Sequence, residues 1–235
     1  MKSEFRFGSV PYMNAKPLCW ALRDVQYVHP PVLLKLLESG QVDAALLSSI
    51  EYFRRPGEFD YVRGLGVCSD GPVASVRLYS RRPQPRNLAL DPNSLTANAL
   101  AQIRLGKLPT GVRQGSDWSG FDATVVIGDD ALRFGEGEYV DLGTDWKERT
   151  GLPFVYALWI VRKGAGDRIG SDLREACKQG ATRLEEIARS EAARLKMEPA
   201  FCLRYLKENV YFEMGPREEK GLELFGRCLK ESGLL

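Results

Sequence analysis

Residues 31–47, PVLLKLLESGQVDAALL, decide the fold class of this 235-residue chain. Leucines three and four positions apart follow Pro31 and give one apolar helical face, and Gly40 ends the helix. The apolar run at 42–47 comes directly afterwards and is typical of a buried strand. Helices and strands that alternate in this way indicate an α/β fold with a largely parallel sheet.

The composition is that of an ordinary globular chain. It is 44% hydrophobic and 27% charged, and 33 Lys and Arg against 31 Asp and Glu give a net charge of +2. These values exclude collagen-like, coiled-coil and disordered classes and give no electrostatic case for nucleic acid. The sequence contains neither a bilayer-spanning apolar stretch nor a signal-peptide pattern, so we expect a cytoplasmic protein without a membrane partner.

Two lobes are predicted from the order of the remaining patterns. Further strand patterns occur at 75–80, 88–90, 121–127 and 152–161. The basic, proline-rich segment 81–86 is expected to be extended and to cross between the lobes, and the long apolar strand leads back. We therefore predict one lobe from 1–84 and 150–235 and a second lobe from 85–149. A cleft between two such lobes is the usual ligand site of open α/β sheets.

The reactive side chains restrict the chemistry. His29 is the only histidine and stands before two prolines in a predicted turn, so it is a poor catalytic candidate. No metal-ligand spacing and no glycine-rich phosphate or dinucleotide motif occurs, so two-histidine metal sites, phosphate loops and dinucleotide sites lack support. The five cysteines are widely spaced and odd in number, which favours reduced thiols over a disulfide framework.

Polar side chains stand near the ends of several predicted strands. Ser, Thr and Asn at helix starts can bind carboxylates, but they are also ordinary helix caps, and the sequence leaves both interpretations open. The candidate carboxylate-binding residues are Asn14, Ser49, Ser75, Ser94 and Thr96, with Asp129 at a further strand end. The candidate aromatic walls, for which a core position is the alternative, are Tyr12, Phe154 and Tyr156.

Five segments carry motifs in a recognisable order: YMNAKPL at 12–18, AALLSSIE at 44–51, SDGPVASV at 69–76, VIGDDAL at 126–132 and DWKERTGLPFV at 145–155. Together they resemble the signature segments of the chorismate dehydratases, which act in the futalosine route to menaquinone. Two departures stand in LDPNSLTA at 90–97, where Leu95 and Ala97 replace the family's Arg and Ser. Ser48 also replaces a proline, which is expected only to relax a turn.

The resemblance implies a fold like that of type II periplasmic binding proteins and a hydro-lyase that converts chorismate to 3-[(1-carboxyvinyl)oxy]benzoate and water. A small carboxylate is the expected substrate, bound by a monomer or a homodimer without a cofactor. We assign Asn14 and Ser75 as catalytic residues that orient the enolpyruvyl carboxylate of the substrate, which serves as the base, and keep Asp129 as the rival base. The remaining candidates, Tyr12, Ser49, Ser94, Thr96, Asp129, Phe154 and Tyr156, are assigned to substrate binding.

Two other functions are compatible with the same architecture. A non-catalytic binding protein for a small carboxylate is the main alternative, although such a protein would normally carry a signal peptide. The effector domain of a LysR-type regulator is the second alternative, but the N-terminal sequence has no helix-turn-helix pattern.

Overall fold

Two mixed β-sheets organise the chain in the computed structural model, which describes residues 4–133 and 137–235. The strands in chain order are β1 Phe7–Ser9, β2 Gln26–Tyr27, β3 Ala44–Ser48, β4 Phe59–Ser69, β5 Val76–Ser80, β6 Leu88–Leu90, β7 Thr110–Val112, β8 Ala123–Ile127, β9 Tyr139–Asp141, β10 Phe154–Arg162 and β11 Tyr211–Glu213. The first sheet has the order β11-β4-β10-β3-β1-β2, and the second has the order β7-β6-β8-β5-β9.

Helices connect and cover these strands, and their starts follow local sequence signals. Proline occupies the first helical turn of several of them, and Ser94 and Asp141 cap two others through their side chains. The helices are α1 Lys16–Cys19, α2 Pro30–Glu38, α3 Ile50–Arg54, α4 Leu95–Leu105, α5 Gly128–Arg133, α6 Leu142–Thr150, α7 Gly166–Ala181, α8 Leu184–Leu195, α9 Pro199–Arg204 and α10 Pro216–Glu231. A 3-10 turn covers Met13–Ala15, and a π turn covers Tyr205–Asn209.

The prediction of largely parallel sheets is wrong. In the first sheet β1, β2 and β3 are parallel, but β10 runs antiparallel to both β3 and β4. In the second sheet β5 runs antiparallel to both β8 and β9. The reason is the double passage between the sheets: β4 leads out of the first sheet and β10 leads back into it, so these strands lie in opposite directions.

The predicted position of the first crossing is also wrong. The strand pattern at 75–80 was expected to belong to the first lobe, but β5 pairs with β8 and β9 of the second sheet. The chain therefore crosses between Ser69 and Val76, and 81–86 connects two strands of one sheet. Alternation of apolar and polar residues identifies a strand but does not show which sheet it joins. The other lobe boundaries stay a prediction, and residues 1–3 and 134–136 lie outside the described residues.

The C-terminal region contains one more strand than its helical pattern indicates. We expected helices from Ser171 to the end, and α7 to α10 supply them, with α7 beginning earlier, at Gly166. Between them β11 joins the edge of the first sheet beside β4. The π turn precedes this strand and begins with Tyr205, which lies between the first sheet and the second.

The core is centred on β10. Trp159 is fully buried with its ring edge-on to Phe7 at 6.1 Å between centroids. Phe154 is 1% exposed and packs against Trp146, Tyr156 and Phe225 at 4.8–5.0 Å. These large rings, packed edge to face, hold β10 in position. Burial of each ring contributes several kcal/mol of transfer free energy. Phe154 is therefore a core residue.

Candidate active site

A cleft between the two sheets encloses about 590 Å³, including space open to solvent. The first sheet and its connections contribute one wall, and the crossing segment, the end of β8 and the start of α4 contribute the other. Its lining residues are Val10, Tyr12, Asn14, Pro30, Leu46, Leu47, Ser48, Val67, Val73, Ser75, Val76, Asn93, Ser94, Ile127, Gly128, Tyr156 and Ala157. The walls are apolar with a few neutral polar groups, which is the usual composition of a small-molecule site.

Five of the predicted site residues line this cleft, and four do not. The five that the fold brings together are Tyr12, Asn14, Ser75, Ser94 and Tyr156. They come from four separate segments, so their convergence is a property of the fold. Their contacts with a substrate stay a prediction.

The loop that carries Asn14 is tied to the start of α5. Gly128 has a φ of +61°, and a Cβ atom there would stand 3.0 Å from the Tyr12 ring, so the ring packs directly on the glycine. The Gly128 N–H in turn donates to the Ser75 carbonyl oxygen at 2.8 Å. Burial raises the pKa of Tyr12, and the nearby carboxylates of Asp91 and Asp129 raise it further. Tyr12 is therefore a neutral phenol at physiological pH.

Ser75 and Asn14 share a neighbour that sequence patterns did not single out. The Tyr205 hydroxyl donates to Ser75 Oγ at 2.8 Å and lies beside the Asn14 side chain. Tyr205 is 2% exposed, and burial raises its pKa. In the sequence it is one apolar position of a helical pattern, so no local signal distinguishes it from a core residue.

Asp141 fixes the turn that presents Ser75. Its carboxylate accepts hydrogen bonds from the N–H groups of Val73 at 3.1 Å and Ala74 at 2.7 Å. The same carboxylate caps α6 by accepting from Gly143 and Thr144, both at 3.0 Å. Ala74 has a φ of +60°, an unfavourable conformation for a non-glycine residue. The carboxylate stabilises this turn and joins the crossing segment to the second sheet.

Ser49 and Thr96 lie away from the cleft and hold the two lobes together. Ser49 Oγ donates to the Val155 carbonyl oxygen at 2.8 Å and lies 3.3 Å from Thr96 Oγ1. The Ile50 N–H donates to Thr96 Oγ1 at 3.1 Å. Both side chains are buried, and their polar atoms bind protein groups. Neither residue is among those that line the cavity, and their hydroxyls connect the start of α3 with the first turn of α4. Their contact with a substrate stays a prediction.

Asp129 and Phe154 also lie outside the cleft lining. Asp129 is 6% exposed and accepts hydrogen bonds from the Met13 N–H at 2.9 Å and the Arg194 guanidinium at 2.7 Å. Phe154 belongs to the core cluster around β10. Protein partners occupy both side chains in this structure, and their contact with a substrate stays a prediction.

Two further polar residues line the cleft, although they were not assigned to the site from the sequence. Ser48 ends β3, and Asn93 precedes the cap of α4; both line the cleft. In the sequence, Ser48 belongs to a pair of serines at the end of a predicted strand, and Asn93 belongs to the DPNS turn. Both patterns indicated a polar segment, but neither showed which residue of the segment lines the cleft. A buried ion pair between Arg113 and Asp91 lies near Tyr12 but does not line the cavity.

Neutral groups dominate the described part of the cleft. None of its lining residues carries an ionisable carboxylate, imidazole, ammonium or guanidinium group. Within residues 4–133 and 137–235, no group of three or more His, Cys, Asp or Glu side chains is placed to hold a metal ion. Across the same residues, no helix combines the length and apolarity needed to cross a bilayer. All five cysteines are free thiols, and four of them are buried.

Known proteins resemble this chain in sequence over nearly its whole length. A family model described as menaquinone biosynthesis matches residues 5–231. The chorismate dehydratase of Thermus thermophilus is 32% identical over 255 aligned positions, which cover 94% of each chain. The chorismate dehydratase of Campylobacter jejuni is 29% identical over 245 positions, which cover 97% of this chain and 99% of the relative.

A solved structure supports the fold. The periplasmic aliphatic sulphonate binding protein of Escherichia coli superposes with a TM-score of 0.65 at 15% identity, covering 98% of this chain and 88% of that one. The predicted α/β fold like that of periplasmic binding proteins is confirmed. The family match over residues 5–231, together with the 32% identity to the chorismate dehydratase of Thermus thermophilus, shows that this chain belongs to the menaquinone-biosynthesis family.

Proposed function

We propose that this protein is a chorismate dehydratase, a carbon–oxygen lyase that converts chorismate to 3-[(1-carboxyvinyl)oxy]benzoate and water. The observation that carries the proposal is the near full-length match to curated chorismate dehydratases. The cleft agrees with it, because Asn14 and Ser75, from two of the matching motifs, line one cavity. The menaquinone-biosynthesis family gives the reaction its metabolic setting.

The reaction requires little chemical assistance from the protein. The proton on C3 and the hydroxyl on C4 leave, the electrons of the C3–H bond enter the ring, and the ring becomes aromatic. The driving force therefore lies in the substrate. The protein has to hold the substrate in one conformer in a site from which water is excluded, and the apolar walls at Val10, Val67 and Ile127 suit this task.

The base is the enolpyruvyl carboxylate of the substrate itself. It is attached to the oxygen on C3, and a correctly held intramolecular base gains a large effective concentration. The described lining of the cleft offers no carboxylate or imidazole that could compete with it. Asn14 and Ser75 orient this carboxylate towards the C3 proton, which returns to solvent with the departing hydroxyl as water.

The other cleft groups bind the ring and the second carboxylate. Tyr12 and Tyr156 supply flat apolar surfaces, and Ser94 at the start of α4 supplies a hydroxyl close to free backbone N–H groups. The neutral phenol of Tyr12 avoids repulsion of a dianionic ligand. We place the reaction in the cytoplasm, in keeping with the five free thiols, and expect a monomer or a homodimer.

A non-catalytic binding protein is the alternative, since the fold is shared with a sulphonate-binding protein. The likeness to that protein in sequence is only 15%, whereas the dehydratases match at about twice that value, so catalysis is favoured. Incubation of the purified protein with chorismate separates the two functions. The expected result is an aromatic absorbance that grows with time and a product whose mass is that of chorismate less one water. Stoichiometric binding of chorismate without turnover would favour the binding protein.

A further inference from the structure

Tyr205 is buried next to the two residues assigned to catalysis, Asn14 and Ser75. It opens the π turn Tyr205–Asn209, is 2% exposed and is absent from the cleft lining. Its hydroxyl donates to Ser75 Oγ at 2.8 Å and lies beside the Asn14 side chain. One buried hydroxyl thus lies between the loop after β1 and the start of β5.

The direction of the hydrogen bond to Ser75 follows from its geometry. A phenol has a single proton to donate, and the geometry directs it to Ser75 Oγ. The Asn14 side chain lies beside the same hydroxyl. Burial raises the pKa of Tyr205, so it keeps its proton throughout the physiological range.

This direction decides what Ser75 presents to the cleft. Because Ser75 Oγ accepts from Tyr205, its own hydroxyl proton is available to another acceptor, and the chain of bonds strengthens that donation. Ser75 then acts as an oriented donor for a carboxylate.

We propose that Tyr205 is a positioning residue that fixes the donor direction of Ser75, an inference that rests on the proposed dehydratase function. It does not touch the substrate. Its effect is on the alignment of groups that hold the reacting conformer, so its loss reduces the rate of the chemical step more than substrate affinity.

The test replaces only the hydroxyl, in Tyr205→Phe. The matched control is Tyr211→Phe, whose hydroxyl also donates to a side chain at 2.8 Å, to Glu218, away from the cleft. We expect Tyr205→Phe to lower kcat about 10- to 100-fold with KM changed less than about threefold, and Tyr211→Phe to keep both constants. Rates are divided by the folded fraction measured by circular dichroism at the assay temperature, so a loss of stability does not imitate a loss of kcat.

A second comparison tests whether Tyr205 acts through its partners. In a Ser75→Ala background the Tyr205→Phe change should cost clearly less than in the wild type, since the group that Tyr205 orients is already absent. The inference is overturned if Tyr205→Phe matches Tyr211→Phe in kcat, if KM alone rises, or if the cost is equal in both backgrounds. Wild-type protein that binds chorismate without turnover would instead contradict the dehydratase function itself.

Discussion

Asp129 accepts a hydrogen bond from the backbone N–H of Met13 at 2.9 Å, which ties the start of α5 to the 3-10 turn that carries Asn14. Its second oxygen accepts from the Arg194 guanidinium of α8 at 2.7 Å, and Arg194 also binds Glu191. Both carboxylate oxygens are therefore engaged. We therefore expect this carboxylate to hold the loop in place rather than to accept a proton from a substrate.

Asp129→Asn should lower stability and leave the chemistry intact. We expect the free energy of unfolding to fall by about 1–2 kcal/mol, discounted because Arg194 is partly exposed, and kcat to stay within about tenfold of the wild type. Asp130→Asn is the matched control, since its exposed carboxylate binds only the neighbouring Arg133 in the described contacts. A loss of four or more orders of magnitude in kcat, with the protein folded, would assign the base to Asp129.

Ser75→Ala should slow the reaction and leave the protein folded, with stability lower by about 1–3 kcal/mol because the buried Tyr205 hydroxyl loses its acceptor. A hydrogen bond to a charged group contributes roughly 1.5–3 kcal/mol, so kcat/KM should fall about 10- to 100-fold. Ser80→Ala at the other, exposed end of β5 is the control, because its hydroxyl binds only the Arg82 carbonyl oxygen and backbone N–H in the described contacts. Steady-state kinetics on chorismate and thermal melts decide the matter. Identical kinetics in the two variants would remove Ser75 from the site.

Periodicity predicted most elements but not their pairing. The strands at β3, β8 and β10 and helix α10 follow from apolar spacing, because spacing reports which face is buried. The membership of β5 in the second sheet depends on contacts with β8 and β9, which are distant in sequence. Local sequence patterns do not report such long-range contacts. For this reason the crossing between the lobes was predicted at 81–86 instead of between Ser69 and Val76.

The same limit explains why only some of the predicted site residues line the cleft. Ser75 and Ser49 are both serines near strand ends, but the first lines the cleft and the second binds Val155 and Thr96. Local sequence fixes residue type, whereas the direction of each side chain depends on lobe packing. Tyr205 illustrates the converse case, since a buried helical tyrosine gains a polar role only through neighbours about 130 and 190 residues away.

Thr96→Val should destabilise the protein with little change in catalysis. The substitution keeps the shape but removes the oxygen that accepts from the buried Ile50 N–H and contacts Ser49. An unsatisfied buried donor costs about 1–3 kcal/mol, which chemical denaturation can measure. Thr110→Val in the exposed part of β7 is the control and should change neither quantity. If kcat/KM of Thr96→Val falls more than tenfold while stability holds, Thr96 belongs to the site after all.

Glu51 should make stability depend on pH. It is 4% exposed, its Oε1 lies 3.7 Å from Arg54, and its Oε2 is buried without a hydrogen-bond partner among the described residues. Burial raises its pKa above the ordinary 4.5, although Arg54 opposes the shift. Because the folded state binds this proton more tightly than the unfolded state, the group contributes stability at low pH that is lost as pH rises from about 4.5 through the raised pKa.

Glu51→Gln removes that titration while preserving the shape of the side chain. We expect the variant to unfold at a higher denaturant concentration than the wild type at pH 8, and the difference to vanish as pH falls towards 4.5. Glu148→Gln, at an exposed position of α6, should follow the wild type at every pH. A Glu51→Gln protein that is less stable than the wild type at pH 8 would mean that the ionised carboxylate is the form the fold requires, and the assigned direction of the pKa shift would be wrong.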